Sequence, residues 1–261
     1  MALKALELID PYVLAVQAYD DHDQKKTMYF ISECDGKFAK WGWNLWGIVL
    51  SDEKNFDSAI ENYKKAINLD PKFASAYFNL GIALTIKTSP DYDGAIESFK
   101  KAIDCDPNDA SAYNNLGVAL IRNSAPDYDG AIKSFKKAID LDPNHAHAYE
   151  SLGDALTNKP APDYEGAIEN YGKAMRINPE DSDANSRLEN AISEEGLPRD
   201  AAAKFMQTIK SEPNDWVGHY IFGLLEIKAG DTKSGISELR RADRLRPGNQ
   251  FIQAALHEDS K

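Results

Sequence analysis

The segment that begins at Ala74, ASAYFNLGIAL followed after a turn by PDYDGAIESFKKAIDCDPND, recurs almost residue for residue from Ala110 and in looser form from Ala146. Pro71, Pro107, Pro143, Pro179, Pro213 and Pro247 punctuate the chain at spacings of 36, 36, 36, 34 and 34 residues. A fixed period of this length marks units that bury their apolar faces mainly against their neighbours. Such units stack in a line instead of collapsing around one centre. With no linker breaking the series, the 261 residues are expected to make one elongated all-α unit, an α-solenoid.

Each copy reads as two helices and a turn. In the copy from Ala74, Tyr77, Leu80, Gly81 and Leu84 fall on one stripe of a 3.6-residue helix, and Ala95, Phe99 and Ala102 do the same on the second. Gly81 and Ala95 let the two backbones approach, while Tyr77, Leu80 and Phe99 fill the space around the contact. Asp106-Pro107 then ends the second helix, because the proline ring disfavours helical geometry in the residue before it.

This pattern resembles the tetratricopeptide repeat. The first copy carries the motif as Trp43, Trp46, Gly47, Leu50, Ala59, Tyr63, Ala66 and Pro71. The third carries it as Tyr113, Leu116, Gly117, Leu120, Ala131, Phe135, Ala138 and Pro143, and the fourth as Tyr149, Leu152, Gly153, Leu156, Ala167, Tyr171, Ala174 and Pro179. The resemblance implies stacked helix-turn-helix repeats wound into a right-handed superhelix. The expected divisions are a helical cap over 1–39, six repeats at 40–73, 74–109, 110–145, 146–181, 182–215 and 216–249, and a capping helix with a tail over 250–261. In the cap, ALKALELI, YVLAVQAY and QKKTMYFISEC are the helical stretches.

Two departures from the motif stand out. The turns TSPDYDGA, SAPDYDGA and KPAPDYEGA are longer than the family's usual turn, placing Pro90, Pro126 and Pro162 in equivalent positions. They read either as a docking ridge or as ordinary turn chemistry ahead of an acidic helix start. The fifth repeat is degenerate: Asn185, Glu189 and Thr208 replace a bulky residue, Gly and Ala. A glutamate at a tight helix crossing costs several kcal/mol if buried unpaired, so the two helices are expected to splay or Glu189 to bend outward. This repeat is expected to be the least stable inside the array. In the sixth, Gly235 replaces the usual Ala.

On the first helix of each repeat, a second face lies about 200° around from the packing stripe. The resemblance implies that these faces line a groove for an extended or helical peptide. In the first three repeats the face is Trp41, Asn44, Ile48 and Ser51, then Ser75, Phe78, Ile82 and Thr85, then Ser111, Asn114, Val118 and Ile121, with Arg122 following. It turns acidic at His147, Glu150, Asp154 and Thr157 and polar at Asp183, Ser186, Asn190 and Ser193, then apolar again at Val217, Tyr220, Leu224 and Ile227. The apolar members are either groove or inter-repeat packing. Asn79 and Asn115 form a two-rung ladder whose amides suit a peptide backbone. The peptide-binding residues expected on these grounds are Asn44, Ile48, Phe78, Asn79, Ile82, Asn114, Asn115, Val118, Arg122, Glu150 and Asp154. A partner with an apolar segment followed by basic residues complements that order. The Lys and Arg clamp of chaperone-binding members is not evident, since Phe78, Ser111 and Asn114 stand where charges are wanted.

A net charge of -12 disfavours nucleic acid and anionic membranes, both of which call for a basic patch. Arg240, Arg241, Arg244 and Arg246 suit a helix C-terminus. Cys34 and Cys105 are too few for a disulfide framework, and Cys105, at the place of Leu141, is expected to be buried. There is no phosphate loop, paired-cysteine motif or nucleophile elbow, and His145 and His147, two apart, point away from each other on a helix. No cofactor and no metal is therefore expected. The start lacks a secretion signal and no stretch is long and apolar enough to span a bilayer, so a cytoplasmic setting is expected. The reading is a non-catalytic protein-interaction scaffold, with a regulatory or substrate-recruiting module of a larger enzyme or assembly as the alternative. Self-association, with Trp41 on its surface, is a further possibility; an enzyme in its own right has little support.

Overall fold

The computed structural model describes residues 11–194 and 201–258. The ALKALELI stretch and the last residues of the tail lie outside them. Among the described residues there are fifteen α-helices and no strand. They are α1 (Pro11–Asp20), α2 (Gln24–Ser32), α3 (Ala39–Asp52), α4 (Phe56–Leu69), α5 (Ala74–Ile86), α6 (Tyr92–Cys105), α7 (Ala110–Arg122), α8 (Tyr128–Leu141), α9 (Ala146–Asn158), α10 (Tyr164–Ile177), α11 (Ser182–Ser193), α12 (Ala201–Ser211), α13 (Trp216–Lys228), α14 (Thr232–Leu245) and α15 (Gln250–Glu258). The packing divides the chain into two compact units, residues 1–126 and 127–261, a division that the uninterrupted repeats do not announce.

Helix starts follow from the acidic turns. The side chains of Asp91, Asp127 and Asp163 each accept a hydrogen bond from the backbone N–H three residues on, that of Gly94, Gly130 and Gly166, at 2.8–2.9 Å. Each satisfies a donor that the first helical turn leaves without an intrahelical partner. Pro90, Pro126 and Pro162 immediately precede these caps and are exposed. Helix ends follow from the Asp-Pro pairs: Asp106 is extended, and its side chain accepts from Asn108 N at 3.1 Å to start the next turn.

In the first unit, α3 with α4 and α5 with α6 form antiparallel hairpins, and α7 follows. The core holds Leu50, Ala59, Tyr63, Leu80, Leu84, Ala95, Phe99, Leu116 and Ala119. The hairpins close tightly because glycine faces an aromatic ring: a Cβ on Gly47 would lie 2.4 Å from Tyr63, and one on Gly81 2.6 Å from Phe99. Helices α1 and α2 pack together, and Tyr19 Oη donates to Asp52 Oδ2 on α3 at 2.6 Å. That hydrogen bond is the main reason the Tyr19 hydroxyl is pushed up to about 12.

In the second unit, α9 and α10 repeat this arrangement, with Gly153 against Tyr171. The fifth hairpin does not. Glu189 is exposed, its Oε1 accepting from Asn185 Nδ2 and Tyr220 Oη at 2.9 Å each. It has bent outward. Helix α12 rests on α10 through Lys204, whose ammonium pairs with Glu165 and Glu169, and on α13 through Ile209. These two hydrogen bonds raise the Lys204 ammonium above its ordinary value.

The sixth repeat also reaches back past the fifth to the fourth. Helix α13 lies directly on α10, where a Cβ at Gly172 would meet Ile221 Cδ1 at 2.8 Å, and Arg176 binds Asp215 through two guanidinium nitrogens. Beyond α14, Arg246 reaches Glu180, and Asn249 Nδ2 donates to Pro179 O at 3.1 Å. The closing helix α15 is capped by Asn249 Oδ1, which accepts from Phe251 N and Ile252 N, and it buries Phe251 and Ile252.

Candidate interaction face

Helices α3, α5 and α7 place nine of the expected binding residues on successive first helices of the first unit. Behind them the stripes are sealed: Leu45, Leu80 and Leu116 are each 5–7 % exposed. Ile48, Phe78, Ile82 and Val118 are half-buried, and the first three pack on the edge of the core. Phe78 stacks edge-on against Phe99 with ring centroids 6.0 Å apart. These side chains therefore hold neighbouring helices together with one side and present the other to solvent.

The asparagines have local partners. Asn79 Nδ2 donates to Asn44 Oδ1 at 3.1 Å across α5 and α3, and Asn115 Nδ2 donates to Ser111 O at 2.9 Å on its own helix. Each amide keeps a second N–H and its oxygen. Asn114 Oδ1 is buried without a hydrogen-bond partner, and Asn44 is itself buried. Arg122 ends α7 and is exposed.

Two features of the face differ from expectation. Trp41 is not an open groove residue: Tyr12, Phe38 and Phe73 stand around its ring at 6.0–6.3 Å and the Lys40 ammonium lies 4.3 Å from its centre. In the second unit Val217 and Tyr220 are fully buried, because α13 packs on α10 and α11. Both positions are inter-repeat packing. Cys105, expected to be buried, is half-exposed beside Pro71 O.

Glu150 and Asp154 belong to an ion-pair network in the second unit. Arg187 from α11 binds Glu150 Oε2 at 2.6 Å and lies 3.5 Å from Asp154 Oδ1, while Tyr171 Oη donates to Asp154 at 2.9 Å. Glu150 is only 4 % exposed, and its Oε1 has no hydrogen-bond partner except the approach of His147 Nδ1 at 3.3 Å. Burial raises the titration of both carboxyls, with Asp181 adding to the effect at Glu150 and Arg187 opposing it at both. Sequence reasoning identified the two acids but missed Arg187 as their clamp. The signal was a basic residue one repeat beyond an acidic one on adjoining first helices.

Among the described residues, no group of three or more His, Cys, Asp or Glu side chains is placed to hold a metal ion, and no helix is long and apolar enough to cross a membrane. A family profile for the TPR repeat matches residues 49–85, 91–124 and 127–159. No curated protein matches the sequence. Solved structures similar to it include the C-terminal part of a TPR repeat-containing protein from Cytophaga hutchinsonii, 17 % identical, covering 98 % of this chain and 91 % of that one, with a TM-score of 0.58. PilF from Pseudomonas aeruginosa is 21 % identical over 84 % of this chain and 97 % of its own, with a TM-score of 0.53. A MamA double mutant is 24 % identical over 65 % and 96 %, with a TM-score of 0.55. At these identities the likeness is one of fold.

Proposed function

We propose that this chain, which belongs to the tetratricopeptide-repeat proteins, is a non-catalytic scaffold that holds a peptide segment or partner protein against helices α3, α5 and α7. The observation that carries the reading is the juxtaposition of half-buried apolar side chains, Ile48, Phe78, Ile82 and Val118, with the amides of Asn79 and Asn115. Apolar anchors supply affinity, and amides with spare donors and acceptors pair with a peptide backbone whatever its side chains. The partner has an apolar segment, and basic residues in it suit the charge of -12. The setting is the cytoplasm, and nucleic acid and membranes are not partners.

The test is affinity capture from the native cell with the parent chain and with an Asn79→Ala, Asn115→Ala double variant. Capture of a specific partner that falls by about tenfold in the variant, with helical circular dichroism unchanged, supports the assignment. Equal capture by both moves the binding face elsewhere. A partner that proves to be an enzyme whose activity depends on this chain favours the regulatory or substrate-recruiting alternative.

A further inference from the structure

The fifth hairpin leaves a vacant place. In the fourth repeat, Tyr149, Gly153 and Leu156 form the stripe that meets the second helix of the same hairpin, with Gly153 against the Tyr171 ring. One repeat of 36 residues later the equivalent stripe is Asn185, Glu189 and Ile192. Here it lines an open cavity of about 580 Å³, whose other walls come from α13 and α15. The reason is steric. Where Gly153 accepts a ring at its backbone, a glutamate at the same place cannot.

The cavity has an apolar floor and one oriented charge. Ile192, Leu224, Ile227 and Phe251 supply the floor. Glu189 stands in the wall with Oε1 fixed by Tyr220 and Asn185, while its Oε2 has no partner among the described residues. The cation in the lining, Lys228, is already turned to the Glu194 carbonyl at 2.8 Å. A carboxylate held in place by buried donors on one oxygen and open on the other is preorganised for a cation arriving with apolar surface beside it.

We propose that this slot is a docking site for one amphipathic helix of a partner protein, with small or aliphatic residues against Ile192, Leu224 and Ile227 and a lysine or arginine opposite Glu189. A helix is the occupant because the stripe is built to receive one, as its counterpart does in the fourth hairpin. The basic residue follows from charge complementarity with the open oxygen of Glu189. The slot lies wholly within the second unit and does not depend on the face made by α3, α5 and α7.

The probe is a blocked fourteen-residue peptide of two Leu-Lys-Ala-Leu-Leu-Ala-Lys repeats, whose leucines share one helical face with lysines at its edges, titrated into the full chain with labelled isoleucine, leucine and valine methyls. Saturable shifts at Ile192, Leu224 and Ile227 are expected. Glu189→Gln, which still offers Tyr220 and Asn185 an acceptor, weakens binding about tenfold, and Ala255→Trp, which fills the cavity, abolishes it. The same peptide with glutamate in place of lysine binds at least tenfold more weakly. Absence of binding, shifts at Ile48, Ile82 and Val118 instead, or affinity that neither variant changes overturns the proposal. So does a close contact between the Ile192 methyls and the Phe205 ring in the free chain, because α12 would then be filling the slot.

Discussion

A Cβ placed on Gly153 would stand 2.4 Å from the Tyr171 ring, so the close hairpin of the fourth repeat exists only because that atom is missing. The ring is 2 % exposed and its hydroxyl is tied to Asp154, which leaves it little room to retreat. Gly153→Ala is therefore expected to destabilise the second unit by about 1–3 kcal/mol, the usual cost of overpacking. A urea midpoint equal to that of the parent would show that the ring moves freely.

Glu189→Gly combined with Thr208→Ala restores the small residues that the other hairpins have at these places. The double variant is expected to draw α11 and α12 together, with slower amide exchange in both helices and loss of the cavity beside Ile192. Tyr220 keeps a partner, since its hydroxyl already reaches Asn185 Oδ1 at 2.9 Å. Unchanged exchange in α11 and α12 would mean that something other than the glutamate holds the hairpin open.

Gly172 takes the place of Lys64, Lys100 and Lys136 in the second helices of the first three repeats, and it is a point where α13 touches α10. Gly172→Lys puts a Cβ 2.8 Å from Ile221 Cδ1, and Ile221 is fully buried. The expected cost is about 1–3 kcal/mol, concentrated in α13, α14 and α15. Exchange protection that falls evenly through the unit, or not at all, contradicts this.

The buried carboxyl of Glu150 gives the stability a pH signature. Burial raises its titration, so the native state takes up this proton at a higher pH than the unfolded chain. The buried charge therefore costs stability above the raised value. That cost is relieved as the pH falls through it and is gone below the unfolded value of about 4.3. In Glu150→Gln the cost is absent at every pH. Unfolding free energies of parent and variant are expected to shift in the parent's favour as the pH drops from 7 towards 4, and parallel curves would exclude a buried charge here.

The helices, their order and their paired packing were legible in the sequence because the second, third and fourth repeats state them again: the Asp caps and the Leu-Gly crossings occupy the same places, and a proline stop recurs in every repeat. The degeneracy of the fifth repeat was legible too, and Glu189 does bend outward. What the period could not convey is whether a half-buried side chain faces solvent or a neighbour. Trp41 and Tyr220 sit at equivalent kinds of position to Ile48 and Phe78, yet cap residues enclose the first and α11 buries the second. The seating of α13 on α10 turns on a single glycine, which no repeat-wise comparison of motif positions includes.

Order along the chain and order in space part company in the second unit. The turn after the fourth repeat touches the turn after the sixth through Asn249 and Pro179, with Arg176 and Asp215 holding the same seam. In a strictly sequential stack, opening one member severs those on either side. Here the seam acts as a short circuit, so the fifth hairpin can breathe while the members flanking it stay joined.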